Sequence, residues 1–325
     1  MNASVLICGV GSIGSRHVSN LLRLGYRNIT LVTKRTDFPD NWPKFEVFEK
    51  LEQALSMAEF THAFICTSTS QHLDQLKKIL LSNVKKIYLE KPVSDTWDGI
   101  EEILGLITSD KKIAVGYDLR FDPGLTLVKD LLDSGRFGKV LSATSFVGQY
   151  LPDWRPHEDY RKGSSALKSK GGGVLLDLVH EFDYLYWILG KAKFIAGLYQ
   201  HNPGLKIETE DLADVLVQFE SGHSATIHLD YHQRILERFC LLTCTRGSIR
   251  WDLAKKEVVW VDEFGEKETI DFSEHERNER FISILSEFME GEQFPKIANF
   301  HDGLESLKMV LAVKKSSETH TFVML

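Results

Sequence analysis

Residues 9–14 read Gly9-Val10-Gly11-Ser12-Ile13-Gly14 and directly follow the apolar run Val5-Leu6-Ile7-Cys8. No other stretch narrows so far what the chain can fold into. Ile13, His17, Leu21 and Leu24 then recur at helical spacing, and Ile29-Thr30-Leu31-Val32 is a second strand-like run. G-x-G-x-x-G alone is a common pattern. Between a strand and a helix, at the head of a βαβ unit, it points to a dinucleotide. The first glycine permits the tight turn, the second lets backbone approach a pyrophosphate, and the third lets helix pack close on strand. The helix start, with Ser12 and Ile13 in its first turn, adds free N–H groups and a partial positive charge. A glycine-rich turn without a ligand is the alternative, and the context argues against it.

The alternation continues to about residue 120. Ala63-Phe64-Ile65-Cys66 is a strand, followed by a helix carrying Leu73, Leu76, Ile79 and Leu80. Ile87-Tyr88-Leu89 is another strand, a helix carries Trp97, Ile100, Ile103, Leu104 and Ile107, and Ile113-Ala114-Val115 follows. Continuous apolar strands alternating with helices describe a parallel sheet covered on both faces. Beyond residue 120 the period becomes two. Ala213, Val215, Val217 and Phe219 alternate with other residues, and so do Ala225, Ile227, Leu229 and Tyr231. Further strands are expected over 237–245, 248–252, 257–261 and 268–272, then helices over 275–290 and 301–317. The expected fold is α/β: a Rossmann dinucleotide-binding domain over 1–120, then an α+β domain over 121–325 with an open, largely antiparallel sheet. The last helix is expected to pack back on the first domain.

Composition excludes several classes. A chain of 325 residues suits about two domains. Lys and Arg total 39 against 46 Asp and Glu, for a net charge of -7, so no broad basic face for nucleic acid is implied. Cys8, Cys66, Cys240 and Cys244 are scattered, and neither a C-x-x-C pair nor a His cluster has zinc-site spacing. No metal and no disulfide framework are expected, which fits a reducing compartment. No apolar run approaches the ~20 residues of a membrane span. Residues 1–5 lack the basic stretch of a signal peptide. A soluble, cytoplasmic protein without nucleic-acid or membrane partners is the expectation.

Three further stretches carry chemistry. The second strand ends Val32-Thr33-Lys34-Arg35, without the acid that would bind a ribose 2′-hydroxyl. Thr33, Lys34 and Arg35 would instead supply donors and positive charge to a 2′-phosphate. The pattern favours NADP, with NAD possible. The alternative is that both cations are solvated surface charges. Gly171-Gly172-Gly173 precedes the run from Val174 to Asp183. On one helix Asp177 would share a face with His180 at i+3 and Glu181 at i+4. Oxidising a carbinol carbon, or reducing the matching carbonyl, requires a proton to leave or join its oxygen. Histidine titrates in the right range, and an aspartate beside it can orient the hydroxyl. Residues 150–161 combine Trp154, Tyr160, Arg155 and Arg161 with acids. They suit either a sugar-binding wall or a loop that packs its aromatics inward.

Glu90-Lys91-Pro92 ends the strand over 87–89, on the side where open α/β sheets bind ligands. Thr67-Ser68-Thr69 with His72, Gly116-Tyr117-Asp118-Leu119-Arg120-Phe121, Gly135, Gly138-Lys139-Val140, and Gly171 to Gly173 with Asp177 and His180 follow in order. With the glycine loop and Glu90-Lys91-Pro92, they make the chain resemble the glucose–fructose oxidoreductase / inositol dehydrogenase family of NAD(P)-dependent oxidoreductases. The resemblance implies that Lys91 reaches the junction of nicotinamide and substrate, where its ammonium steadies charge on the reacting oxygen. It implies that Glu90 orients Lys91, and that Thr67, Ser68 and His72 lie beside the cofactor. Tyr117 and Arg120 would stand near the domain junction, and Asp118 replaces a frequent asparagine. In the family the histidine usually follows the aspartate by four residues. Here it follows by three, which leaves open whether His180 or Glu181 faces the nicotinamide.

The implied activity is hydride transfer to or from a sugar, polyol or nucleotide-linked sugar, with a place in bacterial surface-sugar metabolism. An NAD-dependent glycosidase of the same family and a non-catalytic dinucleotide-binding sensor are the rival readings. The second domain's exposed sheet face suggests a homo-oligomer, a dimer or tetramer.

Overall fold

In the computed structural model, which describes residues 3–325, the four residues of β1 (Val5–Cys8) are all buried. Met1 and Asn2, part of the N-terminal stretch read above, lie outside the described residues. The chain continues through α1 (Ser12–Arg23), β2 (Ile29–Val32), β3 (Glu46–Phe48), α2 (Leu51–Met57), β4 (His62–Ile65), α3 (His72–Leu80), β5 (Lys86–Leu89), α4 (Ile100–Leu106) and β6 (Lys112–Val115). The strands align in the order β3-β2-β1-β4-β5-β6, every pair parallel. This is the doubly wound order, with its switch point between β1 and β4 at the glycine loop.

The second half follows the period-two rhythm. After α5 (Pro123–Asp133) and β7 (Val140–Gly148) come α6 (Val174–Asp177), α7 (His180–Leu189), β8 (Ala192–Gln200), β9 (Leu212–Phe219), β10 (Ser224–Asp230), β11 (Glu237–Cys244), β12 (Gly247–Asp252), β13 (Glu257–Asp262) and β14 (Lys267–Asp271). The chain closes with α8 (Arg277–Glu290), β15 (Ala298–Asn299), α9 (Phe300–Thr319) and β16 (Val323–Met324). Nine strands form the second sheet in the order β14-β13-β12-β11-β7-β10-β9-β8-β16. Its pairs are antiparallel except β7 with β10. In β9, Ala213, Val215, Val217 and Phe219 are buried and the residues between them exposed, so one face packs and the other stays open. Short strands β3, β15 and β16 carry too few apolar residues for periodicity to mark them.

Two compact units result. The first takes the described residues up to Asp118 together with Asn278–Gly303, and the second takes Leu119–Arg277 and Leu304–Leu325. The segment that returns to the first unit is therefore α8 with β15 and the first turn of α9, rather than the last helix as a whole. Asn278 exchanges amide hydrogen bonds with Asn20 of α1, and β15 pairs antiparallel with β6. From Leu304 onward α9 belongs to the second unit. Ser316 Oγ accepts from Gly197 N at 3.0 Å, and Lys314 stands 3.7 Å from Glu210.

A second correction concerns the expected helix over 174–183. It is two helices. Leu178 leaves helical geometry at φ -96, ψ 29, so α6 ends at Asp177 and α7 starts at His180. No helix among the described residues is long and apolar enough to cross a membrane.

Candidate active site

The glycine loop is built as a cradle. Gly9 sits at φ +88, and a Cβ there would stand 2.8 Å from the Cys66 carbonyl. A Cβ on Gly14 would lie 2.0 Å from the Gly9 oxygen, so α1 approaches β1 only because both residues are glycine. Gly11 differs: nothing lies within 4 Å of its Cβ direction. It is also the cap of α1, whose first turn holds no acid and no side-chain cap. An open space at an uncapped helix start suits a pyrophosphate. Ser12 is exposed and Ile13 half-buried beside it. Across the switch point, Thr67 Oγ1 is buried without a hydrogen-bond partner, and Ser68 makes no cap bond to the short turn that follows it. These features fit a dinucleotide.

Arg35 folds towards the same loop. Its guanidinium donates to Val10 O at 3.4 Å and Ser15 Oγ at 3.3 Å. It also pairs with Asp37 at 3.2 Å, which holds that carboxyl below its usual range. Thr33 Oγ1 accepts from the Arg35 amide at 3.1 Å, and Lys34 is exposed.

Lys91, half-buried, stands in a turn fixed from two sides. The Glu90 carboxylate is 2.6 Å from His17 Nε2 through one oxygen. Its other oxygen accepts from the Lys91 amide at 3.3 Å. His17 lies in an aromatic box of Phe64, Tyr88 and Phe281. The carboxylate has room because residue 116 is glycine, where a Cβ would come within 3.1 Å of it. His72 is 1% exposed and braces the other side, with Nδ1 2.8 Å from Pro92 O and Nε2 3.2 Å from Thr67 O. Burial holds its pKa down while the two carbonyls pull it up. His72 thus ties the loop after β4 to the turn after β5 through its ring, and offers little surface to a ligand. Tyr117 is buried, and Asp118 accepts from Arg280 Nε at 3.0 Å, an ion pair an asparagine could not make.

In the second unit, side chains do the fixing. Gly173, at φ +122, leaves space for the Glu210 carboxylate, which a Cβ would meet at 2.3 Å. Burial raises the pKa of Glu210. At the end of α6 Asp177 is half-buried, and its Oδ2 accepts from Tyr231 Oη at 2.6 Å. His180 opens α7 and is 8% exposed. The next acids on α7 are consumed by buried ion pairs. Glu181, fully buried, receives Arg238 at 2.8 and 3.0 Å. Asp183 receives Arg120 at 3.0 and 2.7 Å. Arg120, expected near the domain junction, is thereby 4% exposed and engaged within its own unit.

Residues 150–161 divide. Trp154 Nε1 donates to Gln149 O at 3.3 Å, and its ring meets Tyr231 edge-on at 5.3 Å. Tyr160 Oη donates to Leu205 O at 3.0 Å. Arg155 is exposed, and Arg161 is exposed and paired with Asp159 at 2.8 Å. Sequence reasoning passed over His17, Glu210, Tyr231 and Arg238. His17 had a signal, a polar residue inside an apolar helical stripe. The other three meet their partners only through the tertiary fold.

Residues 3–117 match the family profile described as "Oxidoreductase family, NAD-binding Rossmann fold", and residues 125–250 match the "GFO/IDH/MocA C-terminal domain". An uncharacterized oxidoreductase of Bacillus subtilis, YrbE, is 27% identical over 68% of this chain and 65% of its own. Inositol 2-dehydrogenase of Rhizobium meliloti is 31% identical over 41% of this chain and 38% of its own. The matches thus span less than two thirds of these relatives. Scyllo-inositol dehydrogenase from Lactobacillus casei, solved with bound NAD(H) and scyllo-inositol, shares the fold. Its TM-score is 0.80, at 20% sequence identity, over 100% of this chain and 99% of that one. With both of its domains matched in order along the sequence, the chain belongs to the GFO/IDH/MocA family.

Proposed function

We propose that the chain is an NAD(P)-dependent oxidoreductase of the cytoplasm. It moves hydride between nicotinamide and a hydroxyl- or keto-bearing carbon of a sugar, polyol or nucleotide-linked sugar. The observation that carries this reading is the open cradle at Gly11 and the uncapped start of α1, in the same unit as the doubly braced Lys91 turn. Bound nicotinamide supplies a two-electron hydride acceptor or donor. The chain's residues supply the rest. The Lys91 ammonium donates to the reacting oxygen and steadies negative charge there. Asp177 accepts from the substrate hydroxyl and orients it. His180 takes or returns the proton. Glu181 is held by Arg238, which favours His180 for that role.

Thr67 and Ser68 line the cofactor side, and Lys34 with Arg35 receives a 2′-phosphate, so NADP is preferred over NAD. Arg155 and Arg161 are the exposed cations of the 150–161 segment that reach substrate. The open sheet face forms a groove of about 610 Å³ bordered by the exposed Leu198, Leu216 and Phe322. Apolar surface of this kind supports a homo-oligomer.

The test is turnover with NADP⁺ and NAD⁺ on myo-inositol, D-xylose and UDP-N-acetylglucosamine, and with NADPH and NADH on 1,5-anhydro-D-fructose. It is paired with NADPH and NADH titration by nucleotide fluorescence. Oxidation or reduction of at least one compound is expected, with tighter NADPH binding. A protein that binds neither nucleotide, or binds one and turns over none of the four compounds, overturns the reading.

A further inference from the structure

We propose that Tyr231 is a positioning residue for the reaction: it holds Asp177 in the rotamer that meets the substrate hydroxyl. The inference rests on the reading of Asp177 given above. Asp177 ends a helix of four residues, and the chain leaves helical geometry at the next residue. Such a terminus does little by itself to fix a side chain. Tyr231 supplies what the helix lacks. Its hydroxyl donates to Asp177 Oδ2 at 2.6 Å, within the range of a charge-assisted bond.

The tyrosine itself has no freedom. It is fully buried. Its amide donates to Asp211 O at 2.9 Å, and its carbonyl accepts from Leu151 N at 2.9 Å. Trp154 closes its ring edge-on at 5.3 Å. Burial first, then the Asp177 charge, pushes the phenol well above its usual pKa, so it remains an O–H donor wherever the enzyme works. The same contacts give Trp154 a part behind the acid. The loop after β7 and the strand end after β10 are joined at this tyrosine.

The experiment is a double-mutant cycle on the full chain with Tyr231→Phe and Asp177→Asn. Tyr231→Phe keeps the ring and removes only the donor. Three quantities are read: kcat and KM for the compounds named above, the NADPH Kd by nucleotide fluorescence, and the urea midpoint. Tyr231→Phe is expected to lower kcat/KM about tenfold, the loss of one hydrogen bond to a charge. The NADPH Kd should stay within about twofold. In the Asp177→Asn background, Tyr231→Phe should cost little further in kcat/KM or in urea midpoint, because its partner is already altered. Full additivity in both readouts overturns the proposal, since a tyrosine that merely fills space loses the same amount in either background. Wild-type turnover in Tyr231→Phe, with Asp177→Asn inactive, also overturns it and leaves the reading of Asp177 standing. Wild-type turnover in Asp177→Asn sinks that reading itself.

Discussion

In the first unit the candidate residues are set largely by backbone. Gly9 and Gly14 shape the loop, carbonyls of Thr67 and Pro92 hold His72, and the Lys91 amide is held by Glu90. In the second unit they are set by side chains far apart in sequence. Tyr231 holds Asp177, Arg238 holds Glu181, and Arg120 holds Asp183, across 54, 57 and 63 residues. The difference follows from the sheets. Parallel strands end together, so loops at one end already form a concave site from main-chain groups. An antiparallel sheet offers a flat face, and a helix laid on it needs specific charge and hydroxyl contacts to fix its register. One consequence is that the first unit should tolerate loss of a functional side chain without loss of binding. The second should lose fold when its pairs are broken.

The largest effect tests the first half of that contrast. Lys91→Met removes the ammonium while leaving the Lys91 amide, Glu90 and the cradle in place. We expect kcat to fall about 10⁴-fold, or about 5 kcal/mol of barrier. The NADPH Kd by fluorescence titration should change less than about threefold. A variant that still turns over, or that no longer binds nucleotide, breaks the comparison. Next in size is Arg120→Met in the second unit. It strands Asp183, 1% exposed, without a counter-charge, at a cost of about 3–5 kcal/mol in urea denaturation. Adding Asp183→Leu should recover most of the loss, because the uncompensated charge is then gone. If Arg120→Met costs no more than the exposed Arg155→Ala, the second unit is not held by its ion pairs.

The same contrast explains what the sequence made legible. Gly9-Val10-Gly11-Ser12-Ile13-Gly14, the apolar strands and the turn at Glu90 to Pro92 act through local backbone geometry, so their spacing is their signal. The alternation in β9 to β14 is local as well, and the open sheet followed from it. The expected continuous helix over 174–183 did not form. Its apolar period runs straight through Leu178, where the chain leaves helical geometry, and nothing in the run marks the break. The fate of α9 was hidden for a related reason. Its apolar residues declare a buried face but not which sheet receives it, and Ser316 and Lys314 find partners in the second unit. Arg120 carried only a family-implied place near the domain junction, and Trp154 suited a sugar-binding wall or an inward-packed loop. Their buried partners Asp183 and Tyr231 could be located only in three dimensions.

Arg35 is the exception inside the first unit, a specificity group carried by a side chain. It is split between Asp37 and the glycine loop. Arg35→Ala should weaken NADPH about tenfold and leave NADH within about twofold, read as the ratio of the two Kd values. An unchanged ratio removes Arg35 from the 2′-phosphate and returns the preference to Thr33 and Lys34. Asp37→Asn should move the ratio the other way, by freeing the guanidinium.

The smallest effect separates the units by pH. His62 at the start of β4 is held at a pKa of about 4, by burial first and by Lys86 second. Its unfolded value is near 6.5. A depressed histidine means that the unfolded chain takes up a proton the folded one refuses. Its stability is therefore complete above pH 6.5 and declines as pH falls towards 4. His228 in β10 goes the other way. Asp230 first, and Asp214 after burial's opposing pull, raise its pKa, so its contribution is complete below 6.5 and is lost as pH rises through the folded value. Urea midpoints of wild type and His62→Asn, taken from pH 7 to pH 4.5, should diverge, with the variant losing less stability on acidification. The slope difference should stay below one proton, under about 1.4 kcal/mol per pH unit. Parallel curves mean that His62 is hydrated enough to titrate normally, and the buried base of β4 is then looser than its neighbours. His228→Asn should show its difference above pH 6.5 instead. Divergence of both variants in the same pH range contradicts the assignment of opposite signs to the two sheets.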